Sequence, residues 1–242
     1  MSVYSTILSH KQQSAKLLAI LIDPDKEKVY LPLLSKLKQA DLVFVGGSTG
    51  ENVEPCIAML REHTNAPLII FPGNASQFSP QADALLFLTL LNARTADMLI
   101  EPHVQMAIPI HKSGIEAIPM GYILIDGGRK SSVEIVSNCD PIPQSEVGRI
   151  VSTAIAGQLL GKQLIYLEAG SGAKMSISPD IIRVVRAELQ VPLIVGGGIC
   201  TPNAMLQAFE AGADIVVIGN HFEQHPDEID NFVQIKRERY GK

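Results

Sequence analysis

The chain of 242 residues contains no tryptophan and only three cysteines. Cys56, Cys139 and Cys200 lie far apart and are odd in number, so they predict neither a disulfide framework nor a zinc knuckle. Because disulfide frameworks are typical of oxidising compartments, we expect a reducing, cytoplasmic location.

Long apolar runs and a basic surplus are also lacking. No run reaches the roughly 18–20 residues that a membrane-spanning helix needs, and the N-terminal segment MSVYSTILSHKQQ lacks the apolar core of a signal peptide. The net charge is −5, and lysine and arginine form no stripe. We therefore expect neither a transmembrane segment nor a nucleic-acid partner.

Short runs of valine, isoleucine and leucine alternate along the chain with segments of helical period. Continuous apolar runs of this kind are typical of a parallel sheet covered on both faces. The predicted strands are Leu17–Ile22, Leu42–Val45, Leu68–Phe71, Ala84–Leu88, Gly121–Ile125, Leu164–Leu167, Leu193–Val195 and Ile215–Ile218. Eight such units close most economically into a (β/α)8 TIM barrel. An open doubly wound sheet is the alternative, but no GxGxxG turn follows the first strand.

The connections between strands predict helices, with one exception. The exception is Pro72–Asp83, which is polar and contains two prolines, so we expect no full helix between the third and fourth strands. A short strand is predicted at Val133–Val136. No linker or change in composition divides the chain, which predicts one domain over residues 1–242. The predicted helices are Tyr30–Gln39, Val53–His63, a stretch from after Asn92 to Lys112 interrupted at Pro102 and Pro109, Ser145–Leu160, Pro179–Leu189, Pro202–Ala211 and Asp227–Arg239.

Three glycine turns follow predicted strands, and they point to an anion site. These turns are YLEAGSGA at Tyr166–Ala173, GGGI at Gly196–Ile199 and IGN at Ile218–Asn220. Turns after the last two strands of a barrel commonly hold phosphate through backbone N–H groups. Each turn taken alone is equally consistent with a tight strand-to-helix connection that binds nothing.

Two acids at strand ends are candidates for chemistry. Glu168 lies in the first glycine turn, where a carboxylate can accept a proton from a substrate hydroxyl; the alternative is a salt-bridged surface acid. Asp23 is a candidate ligand for a hard cation, with a hydroxyl from Ser48 on the neighbouring strand. The alternative for Asp23 is a turn acid, and Asp25 and Asp126 compete for the cation role.

Other polar residues give weaker signals. His221 and His225 lie four apart but carry no third ligand, so we interpret them as surface residues. Arg129 and Lys130 either meet an anionic substrate or belong to a solvated loop.

Five motifs in a fixed order resemble the geranylgeranylglyceryl phosphate synthase family of prenyltransferases, including its bacterial heptaprenylglyceryl phosphate synthases. The resemblance covers nearly the whole chain and implies a (β/α)8 barrel whose third helix is replaced by a non-helical segment. Some members of the family have a basic residue where this chain has Leu21. With Leu21 at this position, the chain resembles the archaeal branch of the family. The motifs are LIDPDK at Leu21–Lys26, VGGSTG at Val45–Gly50, YLEAGSGA at Tyr166–Ala173, VGGGI at Val195–Ile199 and VIGN at Val217–Asn220.

The resemblance implies transfer of a geranylgeranyl or other polyprenyl group from a prenyl diphosphate to the C3 hydroxyl of sn-glycerol 1-phosphate. It also implies that Glu168 takes the hydroxyl proton, and that Asp23 and Ser48 hold Mg²⁺. The acceptor-binding residues that it implies are Tyr166, Leu167, Glu168, Ala169, Gly170, Ser171 and Gly172, with Gly197, Gly198, Gly219 and Asn220 on the phosphate.

Two other functions are compatible with the same turns. One is a phosphate-binding barrel isomerase or lyase, which would need an acid–base partner opposite Glu168. The other is a catalytically silent phosphate-binding protein. Apolar helix faces predict a homo-oligomer, a dimer or a hexamer, and a lipid product predicts peripheral contact with a membrane.

Overall fold

The structure is a computed structural model that describes residues 2–47 and 53–241. Within these residues, parallel strands pair in sequence order and close on themselves, because β8 also pairs with β1. This arrangement confirms the predicted (β/α)8 barrel, and β5 extends N-terminally from its predicted core at Gly121–Ile125. The strands are β1 (Leu17–Ile22), β2 (Leu42–Val45), β3 (Leu68–Ile70), β4 (Ala84–Leu90), β5 (Glu116–Leu124), β6 (Leu164–Glu168), β7 (Leu193–Gly196) and β8 (Ile215–Ile218).

The side chains of each strand alternate between two apolar layers. On β6, Leu164 and Tyr166 belong to the cluster inside the barrel, whereas Ile165 and Leu167 belong to the cluster between barrel and helices. This alternation follows from the two-residue period of a strand. All carboxyl ends meet at one rim because every strand pair is parallel, and there Glu168 pairs in register with Gly196.

Helices surround the barrel on the outside. Two 3₁₀ segments, Leu31–Gln39 and Pro226–Glu228, adjoin them. Among the described residues, no helix is both long and apolar enough to cross a membrane. The helices are α1 (Val3–Gln12), α2 (Glu27–Tyr30), α3 (Val53–His63), α4 (Ala96–Leu99), α5 (Glu101–Ser113), α6 (Ser132–Ser137), α7 (Val147–Leu159), α8 (Pro179–Glu188), α9 (Pro202–Glu210), α10 (Asn220–Gln224) and α11 (Ile229–Tyr240).

The connection between β3 and β4 has no helix, as the sequence predicts. Residues 72–83 form only turns and bends. Phe87, which faces the helix side of β4, is consequently only half-buried. Leu88, which faces the inside of the barrel, is half-buried as well. An apolar stretch of β4 is therefore open to the surroundings at this gap.

The predicted strand at Val133–Val136 is wrong, because this segment lies in α6. The Ser131 hydroxyl accepts a hydrogen bond from the Glu134 N–H at 3.1 Å, and the Glu134 carboxylate accepts one from the Ser131 N–H at 3.4 Å. This reciprocal capping box starts a helix. The strand prediction rested on the β-branched residues and did not consider the S-x-x-E pattern at Ser131–Glu134.

Two further predictions about helices need correction. The region Tyr30–Gln39 is not an α-helix but a 3₁₀ segment after α2, with Pro32 in its first turn. Because proline lacks an N–H, Pro32 cannot continue the hydrogen bonds of α2 into this segment. The predicted interruption at Pro109 is also wrong, because α5 continues through it, with Pro109 on the exposed side.

Helices α1 and α10 are absent from the sequence prediction. Val3 and Ile7 of α1 pack against the cluster inside the barrel, so α1 covers the N-terminal rim. The two oxygens of Glu116, at the start of β5, accept the N–H groups of Val3 at 2.6 Å and Tyr4 at 3.0 Å. A carboxylate thus satisfies the free donors at the N-terminus of α1.

Candidate active site

A cavity of about 590 Å³ opens at the C-terminal rim of the barrel. One part of its wall is polar and carries most of the residues singled out by the sequence. The other part is apolar and runs along β4 and α5. The polar wall includes Asp23, Lys26, Tyr166, Glu168, Gly170, Ser171, Gly172, Gly197, Gly198, Gly219 and Asn220, and the apolar wall includes Phe71, Leu86, Phe87, Leu88, Met98 and Met106.

Glu168 is buried at the end of β6, with 7% of its surface exposed. Its Oε1 accepts the Gly170 N–H at 2.7 Å, and Tyr166 also hydrogen-bonds to the carboxylate. Burial raises the pKa of the Glu168 carboxyl, although both hydrogen bonds oppose the shift. A carboxylate with a raised pKa is a stronger base than an exposed one, as a general base requires.

The glycines of the β7 turn make room for this carboxylate. A side-chain carbon on Gly196 would lie 2.2 Å from the Tyr166 hydroxyl and 3.0 Å from Glu168 Oε2. A carbon on Gly197 would lie 2.5 Å from Glu168 Oε1, and the φ of Gly197 is +82°. The GGG run is therefore required for Glu168 to lie against the turn, a role that the sequence analysis did not assign to it.

Three aromatic rings form a cluster inside the barrel. The ring of Phe71 stacks on Tyr166 with centroids 5.6 Å apart, and Tyr122 lies 5.3 Å from Tyr166. Burial, followed by the charge of Glu168, raises the pKa of Tyr122 well above its ordinary value. Tyr122 therefore remains a neutral phenol beside Glu168. Tyr122 is absent from the sequence prediction, because the one feature that marks this residue is its inward position on β5.

Backbone N–H groups of the glycine turns are unpaired donors. Among the described residues, no protein acceptor is present for the N–H groups of Gly172, Gly197, Gly198 and Asn220. The φ of Gly198 is +70°, a conformation that favours glycine. Three glycine turns thus contribute hydrogen-bond donors to one cavity, as an anion site requires.

Two of the predicted binding residues lie outside the cavity wall. Leu167 and Ala169 belong to the cluster between barrel and helices and are almost completely buried. The Ala169 N–H is paired with the Gly196 carbonyl at 3.0 Å. Ser171, in contrast, is exposed and lines the cavity.

Asp23 lies at the same rim, directly after β1. Its Oδ1 accepts the Asp25 N–H at 3.2 Å, and its Oδ2 lies 3.3 Å from the ammonium of Lys26. Lys26 also pairs with Glu223 of α10 at 3.1 Å. A carbon on Gly47 would lie 2.5 Å from Asp23 Oδ1, so Asp23 packs against the turn after β2. Ser48 lies outside the described residues.

The acidic competitors and the histidines have other environments. The Asp126 carboxylate accepts a hydrogen bond from the Gly128 N–H at 2.8 Å and so stabilises the loop after β5. The prediction that His221 is a surface residue is wrong, because its side chain is only 11% exposed and contacts Glu228 at 2.9 Å. His225 is exposed. No group of three or more His, Cys, Asp or Glu side chains that could hold a metal occurs in the described part of the chain.

Comparisons with known sequences show which proteins this chain is similar to. The model of the PcrB family matches residues 11–236. The geranylgeranylglyceryl phosphate synthase of Flavobacterium johnsoniae is 46% identical over 92% of this chain and 94% of its own length. The enzyme of the same name from Thermococcus kodakarensis is 38% identical over 90% of this chain and 89% of its own length.

Solved structures give a consistent result. The (S)-3-O-geranylgeranylglyceryl phosphate synthase of Thermoplasma acidophilum, crystallised with its substrate sn-glycerol-1-phosphate, superposes with a TM-score of 0.89 and 33% identity. The match covers 98% of this chain and 99% of that protein. An N-acetylmannosamine-6-phosphate 2-epimerase from Clostridium perfringens reaches a TM-score of 0.57 at 14% identity, a likeness in fold alone.

Proposed function

This chain belongs to the PcrB family, and on that premise we propose that it is a geranylgeranylglyceryl phosphate synthase. It transfers a geranylgeranyl group from a prenyl diphosphate to the C3 hydroxyl of sn-glycerol 1-phosphate. The observation that carries this proposal is a single cavity that joins a buried carboxylate, unpaired N–H donors and an apolar wall. An anionic acceptor, a proton and a prenyl chain each find matching chemistry there.

Glu168 is the proton acceptor in the proposed reaction. The C1–oxygen bond of the prenyl diphosphate breaks, and its electron pair leaves with the diphosphate, so C1 acquires carbocation character. A lone pair of the C3 oxygen forms the ether bond to C1, and the hydroxyl proton passes to Glu168. Because burial raises the pKa of this carboxyl, the proton is accepted more readily than by an exposed glutamate.

The acceptor phosphate occupies the glycine turns. The N–H groups of Gly172, Gly197, Gly198 and Asn220 are free to donate to phosphate oxygens. Fixed donors of this kind hold an anion without reorganisation. Binding the phosphate there places the glycerol close to Glu168, because Gly197 contacts its carboxylate. Leu167 and Ala169 support this wall from behind, through the backbone.

Asp23 is the proposed Mg²⁺ ligand, together with Ser48. Magnesium is bound by one or two carboxylates and keeps oxygens from water and from substrate phosphates. A single carboxylate at the cavity wall fits this requirement, although it first has to release the Lys26 ammonium. When bound, the ion neutralises the charge of the leaving diphosphate.

The apolar wall is the proposed site of the prenyl chain. Phe87 and Leu88 of β4 are half-buried where the connection after β3 has no helix. Ala75 in this connection lines the same cavity. The missing helix thus leaves an apolar surface on which a hydrocarbon chain avoids water. This surface is continuous with the polar wall that holds Glu168.

The decisive experiment is a reaction with sn-glycerol 1-phosphate, Mg²⁺ and prenyl diphosphates of several lengths, with products identified by mass spectrometry. We expect a geranylgeranyl ether of glycerol phosphate together with an equal amount of diphosphate. A phosphosugar isomerisation without Mg²⁺ would instead favour the isomerase or lyase alternative. Binding of glycerol phosphate without release of diphosphate from any donor would favour a silent binding protein.

A further inference from the structure

The proposed phosphate site is built almost entirely of neutral donors. Its turns contribute backbone N–H groups and the amide of Asn220. The neighbouring residue on β1 is Leu21, whose Cβ lies 3.3 Å from a carbon built on Gly219. An apolar side chain therefore occupies the position from which β1 could have contributed a cation. A positive side chain here would add a charge-assisted hydrogen bond to a phosphate dianion.

Arg129 lies close to these turns. A side-chain carbon on Gly172 would lie 3.4 Å from Arg129 Nη1 and 3.8 Å from Asn220 Nδ2. The guanidinium and the Asn220 amide thus lie on the same side of Gly172. Gly172 and Asn220 both line the cavity, and the guanidinium lies next to Gly172 although Arg129 is not itself a lining residue.

The backbone on either side of Arg129 is held in place. The Gly127 carbonyl accepts the N–H groups of Lys174 at 2.9 Å and Met175 at 3.1 Å, which ties the loop after β5 to the loop after β6. On the other side, Ser131 packs against Gly170, where a side-chain carbon would lie 2.7 Å from the Ser131 Cβ. The Cα of Arg129 is therefore fixed above the glycine turn between two anchored points.

The Arg129 side chain, in contrast, is uncommitted. It is exposed, and within residues 2–47 and 53–241 it forms no hydrogen bond or ion pair. Lys26, a cation of the polar wall, is already paired with Asp23 and Glu223. A free guanidinium on a fixed backbone can turn onto an arriving anion without breaking an existing contact.

We propose that Arg129 binds the phosphate of the glycerol phosphate acceptor, closing the glycine turns with the cation that they lack. This inference rests on the proposed function and names a further residue of the same site. A guanidinium presents a planar fork that matches two phosphate oxygens, whereas an ammonium is a point charge. Arg129 determines affinity and selectivity for a phosphorylated acceptor, and Glu168 performs the proton transfer.

The test measures binding of sn-glycerol 1-phosphate, and of inorganic phosphate, by titration calorimetry. Arg129→Ala should weaken binding about 10–100-fold, because a charge-assisted hydrogen bond is lost. Arg129→Lys should fall between this variant and the unaltered protein. In turnover, KM for glycerol phosphate should rise by a similar factor, while kcat at saturating acceptor stays nearly unchanged.

Lys130→Ala is the matched control, since Lys130 is adjacent, exposed and equally charged. It should leave binding within about twofold. Equal loss in both variants would show that only overall charge matters and would overturn the proposal, as would unchanged binding by Arg129→Ala. The Tm of Arg129→Ala should match that of the unaltered protein. If Arg129→Ala is poorly folded, the binding measured for Arg129→Lys decides instead. Undiminished binding by Arg129→Lys would then refute the proposed contact between the guanidinium and two phosphate oxygens.

The outcome for Arg129 can be separated from the outcome for the proposed function. If the unaltered protein binds glycerol phosphate but forms no prenyl ether, the prenyltransferase proposal fails and the binding comparison still tests Arg129. If the ether forms but Arg129→Ala keeps the affinity and KM of the unaltered protein, only the assignment of Arg129 fails.

Discussion

Three aspartates at the N-terminal rim and Glu168 at the C-terminal rim have opposite environments. At the N-terminal rim, an aspartate lies directly before each of β2, β4 and β8. It accepts the N–H of a residue at the start of the preceding strand and also pairs with a cation. At the C-terminal rim, Glu168 forms no ion pair within the described residues and is buried. The N-terminal sets are Asp41 with Leu18 and Lys236, Asp83 with Leu68 and Arg61, and Asp214 with Leu193 and Arg186.

This difference distinguishes carboxylates that stabilise the fold from a carboxylate whose environment suits a reaction. Each N-terminal aspartate satisfies a backbone donor and a cation at once, so its charge is compensated and contributes to the fold. Glu168 receives two hydrogen bonds but no positive charge, and its pKa is raised by burial. A carboxylate kept in this state destabilises the native protein at neutral pH, and such groups are typical of functional sites.

The largest effect is expected for Glu168→Gln. Loss of a general base should lower kcat about 10²–10⁴-fold while glycerol phosphate still binds. The control is Glu188→Gln, because Glu188 is exposed on α8, and this variant should keep full activity. Near-normal turnover by Glu168→Gln would remove Glu168 from its role.

The variant Glu168→Gln also tests whether the buried carboxylate lowers the stability of the native protein. A raised native pKa means that the native state binds a proton more readily than the unfolded chain. Stability is therefore lost as pH rises from the unfolded pKa through the native pKa, and glutamine avoids this loss. Glu168→Gln should have a Tm at pH 7 equal to or above that of the unaltered protein. A clear fall in Tm would contradict this account.

The reverse result is expected at the N-terminal rim for Asp41→Asn. Lys236 is only 3% exposed, so the variant leaves a buried ammonium without its carboxylate. We expect a loss of about 2–3 kcal/mol in the free energy of unfolding, with kcat unchanged. Asp230→Asn, which breaks the exposed pair with Lys36, is the control and should cost at most about 1 kcal/mol. If the two variants are equally stable, the N-terminal rim is not organised as described.

Asp23→Asn should raise the Mg²⁺ concentration needed for half-maximal activity about tenfold, because an ionised ligand is lost. Asp25→Asn is measured in parallel, since Asp25 is the neighbouring acid in the same turn. An increased requirement in Asp25→Asn alone would move the metal site away from Asp23.

A smaller effect is expected on the apolar wall of the cavity. Ala75→Phe fills part of the gap between β3 and β4 and should reduce the yield of long prenyl products several-fold relative to short ones. Ala187→Phe, exposed on α8, is the control for a bulky substitution. Product lengths that do not change would place the prenyl chain elsewhere.

The final prediction concerns pH alone. Since Glu168 must be ionised to accept a proton and its pKa is raised, the acid limb of kcat/KM should lie above the pKa of an ordinary glutamate. The carbon resonance of the carboxyl, assigned by its absence in Glu168→Gln, gives the same pKa in the free protein. A titration at the ordinary glutamate value would show that burial does not raise the pKa of the Glu168 carboxyl.

The strands and the positions of the candidate site residues were largely predictable from local sequence patterns. Apolar runs gave the strands, and glycine turns at their ends gave the positions of the proposed anion site. The strand predicted at Val133–Val136 was wrong because the prediction used the β-branched residues and did not consider the capping box before them. Tyr122 was missed because an inward tyrosine on a strand looks like any other core residue until the cavity is known.

The sequence by itself determined the alternation of strands and helices, the helix-free connection after β3 and the identity of Glu168 and Asp23 as strand-end acids. These are local properties, since periodicity and turn chemistry act over a few residues. Only the tertiary structure decided that Glu168 is buried against Gly196 and that Arg129 lies beside Gly172. Closure of the barrel brings together residues far apart in the chain, and burial and charge depend on those neighbours.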